Sequence, residues 1–169
     1  MRRIIYRLFP LLLIAFLAVG ISCSNDECFE NKNSLPLAGF YSSGADPKSI
    51  SLDSLSIYGV GVPGDSILED SVRSLSLTYL PFRIDQNSTT YVIQYLSGLS
   101  GILRVRDTIT FNYDIVPMFV SSACGVIYEY KMTSINTTHY YIDSVTCPLK
   151  TIDNTNIENL KIYFRVSAE

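Results

Sequence analysis

The stretch Asp-Thr-Ile-Thr-Phe-Asn-Tyr-Asp at residues 107–114 sets Ile109, Phe111 and Tyr113 between polar neighbours. Successive side chains of a strand leave on opposite faces, so this period of two predicts a half-buried β-strand with those three residues turned inward. The same alternation recurs at Leu75, Leu77 and Tyr79, at Tyr91, Ile93 and Tyr95, at Val126, Tyr128 and Tyr130, and at Ile162, Phe164 and Val166. Tyr, Phe, Val, Ile and Thr are plentiful, and few windows space apolar residues three and four apart. Turn-forming clusters stand at 44–48, 61–65, 85–89, 97–101 and 153–156. With further strands near 37–41, 52–58 and 140–146, the chain reads as about eight strands joined by short turns. No segment offers a crossover helix, so the expected fold is all-β: a single antiparallel two-sheet sandwich of Ig-like or Greek-key type, with a small β-barrel as the alternative.

The amino-terminal end has a different composition. Arg2, Arg3 and Arg7 precede an apolar run at residues 8–21, then the small Ser22 and Cys23. The order is that of an export signal, and the run is shorter than the roughly 20 residues a spanning helix needs. Gly20, Ile21, Ser22 and Cys23 resemble the lipobox of bacterial lipoproteins, in the looser form used by Bacteroidetes. An ordinary secretory signal cut near Ser22 is the plainer alternative. The expected division is a cleaved signal at 1–22, an acylated Cys23 (palmitate among its chains) with a polar tether over 23–34, and a β-domain over 35–169. Ser24 follows the anchor, and Asn25, Asp26 and Glu27 make an acidic patch that resembles the surface-export signal of some Bacteroidetes lipoproteins, with a merely soluble tether as the alternative.

Cleavage removes three arginines and no acid, leaving 10 basic against 16 acidic side chains. A domain near −6 with no Lys/Arg cluster repels phosphate backbones, so nucleic acid is not an expected partner. A chain over 23–169 is long enough to bury one core without a metal.

Several motifs together resemble a family of Bacteroidetes lipoproteins known only as a domain of unknown function. They are Cys28 just after the anchor; Gly39, Phe40 and Tyr41; Asp53, Ser54 and Leu55 leading to Ile57, Tyr58 and Gly59; and Leu80 with Pro81. Phe119, Val120 and Ser121 before Cys124 and Gly125 follow, then Ile142, Asp143 and Ser144, and a closing run from Asn159 and Leu160 through Lys161, Ile162 and Tyr163 to Phe164. The resemblance implies a compact all-β domain tethered to the cell envelope, most simply at the outer membrane. It carries over no activity.

With Cys23 acylated, Cys28, Cys124 and Cys147 remain for one disulfide in an oxidising compartment. Two pairings are open. A hairpin from Cys124 to Cys147 turning at Ile135 and Asn136 would set those two opposite each other. A Cys28 to Cys124 bridge matches the family's pattern and would stabilise by roughly 4–5 kcal/mol on a chain-entropy model. Catalysis by a thiol lacks a partner, since nothing marks His139, the sole histidine, as a base.

Asp followed by Ser or Thr and an apolar residue occurs five times, with Ser54, Ser66, Ser71, Thr108 and Ser144 at the centre. This resembles the O-glycosylation acceptor pattern of exported Bacteroidetes proteins. Asp and Ser also favour turns at strand starts, which gives the same pattern without sugar. Asn87 and Asn136 fit Asn-x-Ser/Thr, a signal that depends on the host's enzymes. No nucleophile elbow, calcium loop or zinc spacing is present, and the residues Ser97 to Gly101 fall short of Gly-x-Ser-x-Gly. No catalytic residue, cofactor or metal is therefore expected. Tyr128, Tyr130, Tyr140 and Tyr141 make a candidate binding surface, with core packing the alternative use of the same rings.

The sequence thus points to a lipid-anchored, non-enzymatic envelope protein that contacts the membrane through its lipid and binds another envelope protein, or else a glycan as an accessory to polysaccharide handling. Mass spectrometry of the native amino terminus should find Cys23 first and carrying acyl mass. An unmodified Cys23, or a start elsewhere, overturns the anchor.

Overall fold

The computed structural model describes residues 34–61, 66–97, 103–121 and 125–165. Within them lie ten strands: β1 (Leu37–Ser42), β2 (Leu55–Gly59), β3 (Ile67–Val72), β4 (Leu77–Tyr79), β5 (Ser88–Ser97), β6 (Leu103–Ser121), β7 (Gly125–Thr137), β8 (Ile142–Thr146), β9 (Thr151–Ile152) and β10 (Glu158–Phe164). They form a four-stranded sheet in the order β4-β1-β10-β8 and a six-stranded sheet in the order β3-β2-β5-β6-β7-β9. The fold is the expected all-β sandwich, not closed into a barrel. β3 and β9 are additions to the sequence reading, and β1 pairs with β10 in parallel rather than antiparallel. First and last strands need no short connection, so the turn constraint that favours antiparallel neighbours does not act on them.

Alternation fills the space between the sheets. Tyr91, Ile93 and Tyr95 from β5, Ile109, Phe111 and Tyr113 from β6, and Leu160, Ile162 and Phe164 from β10 are all buried in one core. The run at Leu75, Leu77 and Tyr79 divides: Leu75 packs against the core, but the other two do not. β4 turns Thr78 inward opposite Ala38, and Leu77 and Tyr79 point out. Thr78 tolerates burial because its hydroxyl donates to Glu69 at 2.8 Å, and the same parity carries Leu80 and Phe82 into the core.

The hairpin expected between Cys124 and Cys147 does not form. β7 runs straight through Ile135 and Asn136, pairing with β6 on one side, and β8 belongs to the other sheet. A bulge at Thr133, where Ser134 meets Asn112 but Met132 meets Tyr113, switches which parity of β7 faces the core. Cys147 carries a free thiol; Cys23, Cys28 and Cys124 lie outside the described residues, as does the 97–101 turn beyond Ser97.

What sends the chain across instead of back is Asp107. Its side chain projects from the middle of the six-stranded sheet into the core and is fully buried. One oxygen accepts the Thr138 hydroxyl at 2.6 Å and the Tyr140 N–H at 2.9 Å. The other accepts the N–H groups of Tyr141 at 2.7 Å and Ile142 at 2.9 Å. The segment between β7 and β8 would otherwise bring backbone donors into the core with no ladder to receive them. One carboxylate satisfies them and ties the two sheets together.

A second crossing is fixed by hydroxyls. Between β4 and β5 the chain passes through Pro81, Phe82 and Arg83, whose carbonyls accept from Tyr91, from Tyr130 at 3.3 Å and from Tyr113 at 2.8 Å. Phe82 stacks on Tyr113 with ring centroids 4.6 Å apart and meets Tyr130 edge-on. Tyrosine suits these sites because its ring fills the core while its hydroxyl reaches the passing backbone.

Burial acts to raise the Asp107 pKa, but the hydrogen bonds from Thr138, Ile142, Tyr140 and Tyr141 outweigh it and hold the group below its ordinary value. A depressed carboxylate contributes stability that is present above its unfolded pKa, about 3.9, and is lost as pH falls through the lower folded value. Asp107→Asn removes the charge and turns an amide donor toward N–H donors. Urea denaturation at neutral pH should show it less stable by about 3 kcal/mol. Below pH ~4 the wild-type curve should fall toward that of the variant; parallel curves across that range would remove the role assigned to Asp107.

Candidate functional site

The four tyrosines singled out from the sequence do not form one surface. Tyr130 is core, and Tyr141 packs on Tyr95 with centroids 4.9 Å apart. Tyr128 and Tyr140 are exposed, but one lies on β7 and the other on the crossing before β8, in different sheets' territory. The Asp-Ser/Thr sites are likewise heterogeneous. Ser54 and Ser71 adopt left-handed backbone with φ of 58° and 50°, and Ser66 and Ser71 are exposed. Thr108 sits mid-strand in β6, where its N–H donates to the Thr138 hydroxyl at 2.9 Å. Ser144 lies on β8 opposite Tyr163. Among their aspartates, Asp53 accepts the Ser74 N–H at 2.7 Å in a local turn, whereas Asp107 is the inter-sheet tie. Asp65 falls outside the described residues.

Cys147 is no nucleophile at neutral pH. Burial pushes its thiol up to about 11, and its sulfur donates to the Leu149 carbonyl at 2.9 Å. Thiolate, the reactive form, is then scarce. Among the described residues no three His, Cys, Asp or Glu side chains gather as metal ligands would.

An unforeseen surface lies on the outer face of the four-stranded sheet. Strand parity that turns Ala38, Phe40, Leu160 and Ile162 inward must turn Gly39, Tyr41, Lys161 and Tyr163 outward, and the ladder sets Tyr41 beside Tyr163 and Gly39 beside Lys161. On the edge strand β4, Leu77 and Tyr79 join the same face, 48% and 43% exposed. Solvent-facing positions of a sandwich are ordinarily polar, so three tyrosines and a leucine here are not a packing requirement.

Polar contacts hold this face in one arrangement. The Tyr41 hydroxyl lies 2.8 and 2.9 Å from the two carboxylate oxygens of Glu158. The Lys161 ammonium sits 4.8 Å from the centre of the Tyr41 ring and 3.8 Å from Glu158. The Tyr41 and Tyr163 rings are 5.7 Å apart, and the Tyr79 hydroxyl donates to Asn156 at 2.8 Å. Desolvation and then the neighbouring Glu158 push the Tyr41 pKa up to about 12, so the phenol stays a donor at neutral pH. Gly39 is the bed of the cluster, since a Cβ there would collide with the Glu158 carboxylate. The sequence signal for this face was the pairing of Gly39 with Tyr41 and of Lys161 with Tyr163, but the parallel register that joins them was not readable.

The second unusual surface is an arm. β5 pairs with β6 only as far as Asn112, and β9 meets β7 only at Tyr130 and Lys131. Beyond these points residues 116–121 and 125–129 pair as a two-stranded ribbon. Phe119 is 71% and Val126 50% exposed, with Met118 and Tyr128 also open to solvent.

One family model matches the chain, over residues 54–164, and its description is a family of unknown function, DUF6452. The match takes in β2 through β10 and leaves β1 outside. No curated protein and no solved structure matches.

Gly39→Ala should displace Glu158 from Tyr41 and cost roughly 1 kcal/mol, the usual worth of a partly exposed hydrogen bond. If that displacement is the whole effect, Gly39→Ala should cost nothing further in a Glu158→Ala background. Additive losses in the denaturation cycle would place the effect elsewhere.

Proposed function

The chain belongs to that family of unknown function, and on this footing we propose that it is a lipid-anchored, non-enzymatic binding component of a bacterial cell envelope, of the Bacteroidetes lipoprotein kind. Cys23 holds it to the outer membrane, and an assembly partner docks on the outer face of the four-stranded sheet. In that oxidising setting Cys28 and Cys124 form the disulfide and Cys147 stays a thiol.

The observation that carries this reading is the composition of β4 and its neighbours. β4 is an edge strand of three residues whose outward side chains are Leu77 and Tyr79. An exposed apolar edge is a liability in a protein without a partner, and a natural seat for an added strand or loop in one that has one. Tyr41, Tyr163 and Lys161 extend the seat across β1 and β10, already ordered by Glu158. A preorganised face loses little side-chain freedom on binding.

The three tyrosines also support a second reading, a glycan laid on the rings with Glu158, Lys161 and Asn156 as hydrogen-bonding neighbours. The two readings differ in what Leu77 contributes. A sugar would draw on the rings and polar groups, whereas a protein partner would bury the leucine.

Crosslinking in native membranes should recover a distinct protein partner. Leu77→Asp should reduce that recovery at least tenfold, as loss of a central apolar anchor does. Recovery of the protein alone counts against an assembly role. Retardation in a polysaccharide gel that Tyr79→Ala abolishes and Leu77→Asp leaves intact would support the glycan.

A further inference from the structure

From the β6–β7 arm we infer a second membrane contact: its outer described residues, Met118, Phe119 and Val126, insert into the interfacial zone of the lipid bilayer. Residues 115–128 contain no charged side chain, and charge resumes at Asp114 and Glu129 on the two feet. Strand register places Phe119 beside Val126 and Pro117 beside Tyr128 on one face. Met118 and Ile127 are paired on the other. Phe119, Val126 and Tyr128 are exposed on the first face; on the second Met118 is exposed and Ile127 is buried, outside the main core.

A protein partner covers a face or an edge, and leaves the remainder of an arm to water. Lipid surrounds what enters it. Apolar residues on both faces, with a charge-free stretch between them, match the second environment. The order along the arm matches it too. Tyr128 lies two residues nearer the foot than Val126, which is about 7 Å on a strand. That sets a phenol at headgroup level when Phe119 and Val126 reach the acyl boundary, the usual place of an interfacial tyrosine. Insertion of this kind is about 5–10 Å deep, well within the ribbon strand 116–121 at ~3.4 Å per residue.

The path of the chain brings the arm to the membrane. Pro36 accepts the Leu80 N–H at 2.9 Å, and Leu80 leads directly to Phe82, which stacks on Tyr113 at the foot of the arm. The first described residues therefore leave the sandwich at the end from which the arm projects. Residues 23–33 can span at most about 35–40 Å, and the arm from Asp114 to Ser121 is about 24 Å. Tether and arm have commensurate reach. This placement, though not the chemistry of the arm, rests on the reading of Cys23 as the anchor.

The chain contains no tryptophan, so one introduced indole is a sole reporter. Full-length protein carrying Phe119→Trp, Met118→Trp or, as control, Leu149→Trp is reconstituted into phosphatidylcholine vesicles with acyl-brominated lipid. Near-UV circular dichroism checks the fold, and intact mass of the same sample reads the acyl group. Indoles at 118 and 119 should be quenched at least twofold and emit to the blue, while the control at 149 stays unquenched. Unquenched emission from both arm positions overturns the proposal. A blue shift that follows protein concentration but not bromolipid also overturns it, in favour of a second copy. Quenching without acyl mass would keep the arm and remove the anchor; acyl mass without quenching would do the reverse.

Discussion

The fold depends on a carboxylate in a place where carboxylates are costly. Asp107 stands in the core with four donors around it, three of them backbone N–H groups from one crossing segment. Desolvating an unpaired charge costs several kcal/mol, but hydrogen bonds to an ionised group are worth roughly twice those to a neutral one. The alternative for the crossing is worse, since Tyr140, Tyr141 and Ile142 would each leave a buried donor unmet. The far edge of the four-stranded sheet is positioned through this link. β8 is delivered to the edge of the four-stranded sheet, where β10 pairs with it, and β10 in turn brings in β1.

Tyrosine plays the corresponding part at the end that carries the arm. Tyr91, Tyr113 and Tyr130 come from three neighbouring strands, and their hydroxyls meet three successive carbonyls of the 81–83 segment. Phenylalanine would fill the same volume and leave those carbonyls without donors. A chain with twelve tyrosines and no tryptophan thus uses much of its aromatic content to satisfy backbone at crossings. The structural use of tyrosine explains why a clustering of tyrosines in the sequence did not translate into one shared surface.

Local alternation was legible and long-range pairing was not. Ile109, Phe111 and Tyr113 announced both a strand and its buried face, because side-chain direction follows from the backbone alone. Leu77 and Tyr79 misled for the same reason. Their parity is apolar, yet Ala38 on the partner strand and the Glu69 acceptor make Thr78 the better inward residue. A turn at Ile135 and Asn136 rests on symmetry between two cysteines, and Asn136 is followed by threonine where a tight hairpin favours glycine. Asp107 was visible as one of five similar triplets, but its partners lie more than thirty positions away. The tyrosine face was hidden similarly: Gly39 and Lys161 meet only through a parallel register that no local signal specifies.

The exposed residues of the arm obey the same alternation as the core and lack its reward. Phe119, Val126 and Tyr128 continue the inward parity of Ile115 and Tyr130 beyond the point where the opposite sheet ends. Folding gains little from them, since apolar area stabilises only when it leaves water. Polar residues at those positions would cost the sandwich almost nothing and would protect an open ribbon from unwanted pairing. Stability and solubility both argue for serine or lysine there, and the sequence has phenylalanine, valine and tyrosine. Neither pressure accounts for apolar side chains at these positions. The composition of the arm is what an apolar environment outside the protein would favour, which is the physical basis of the bilayer contact inferred for it.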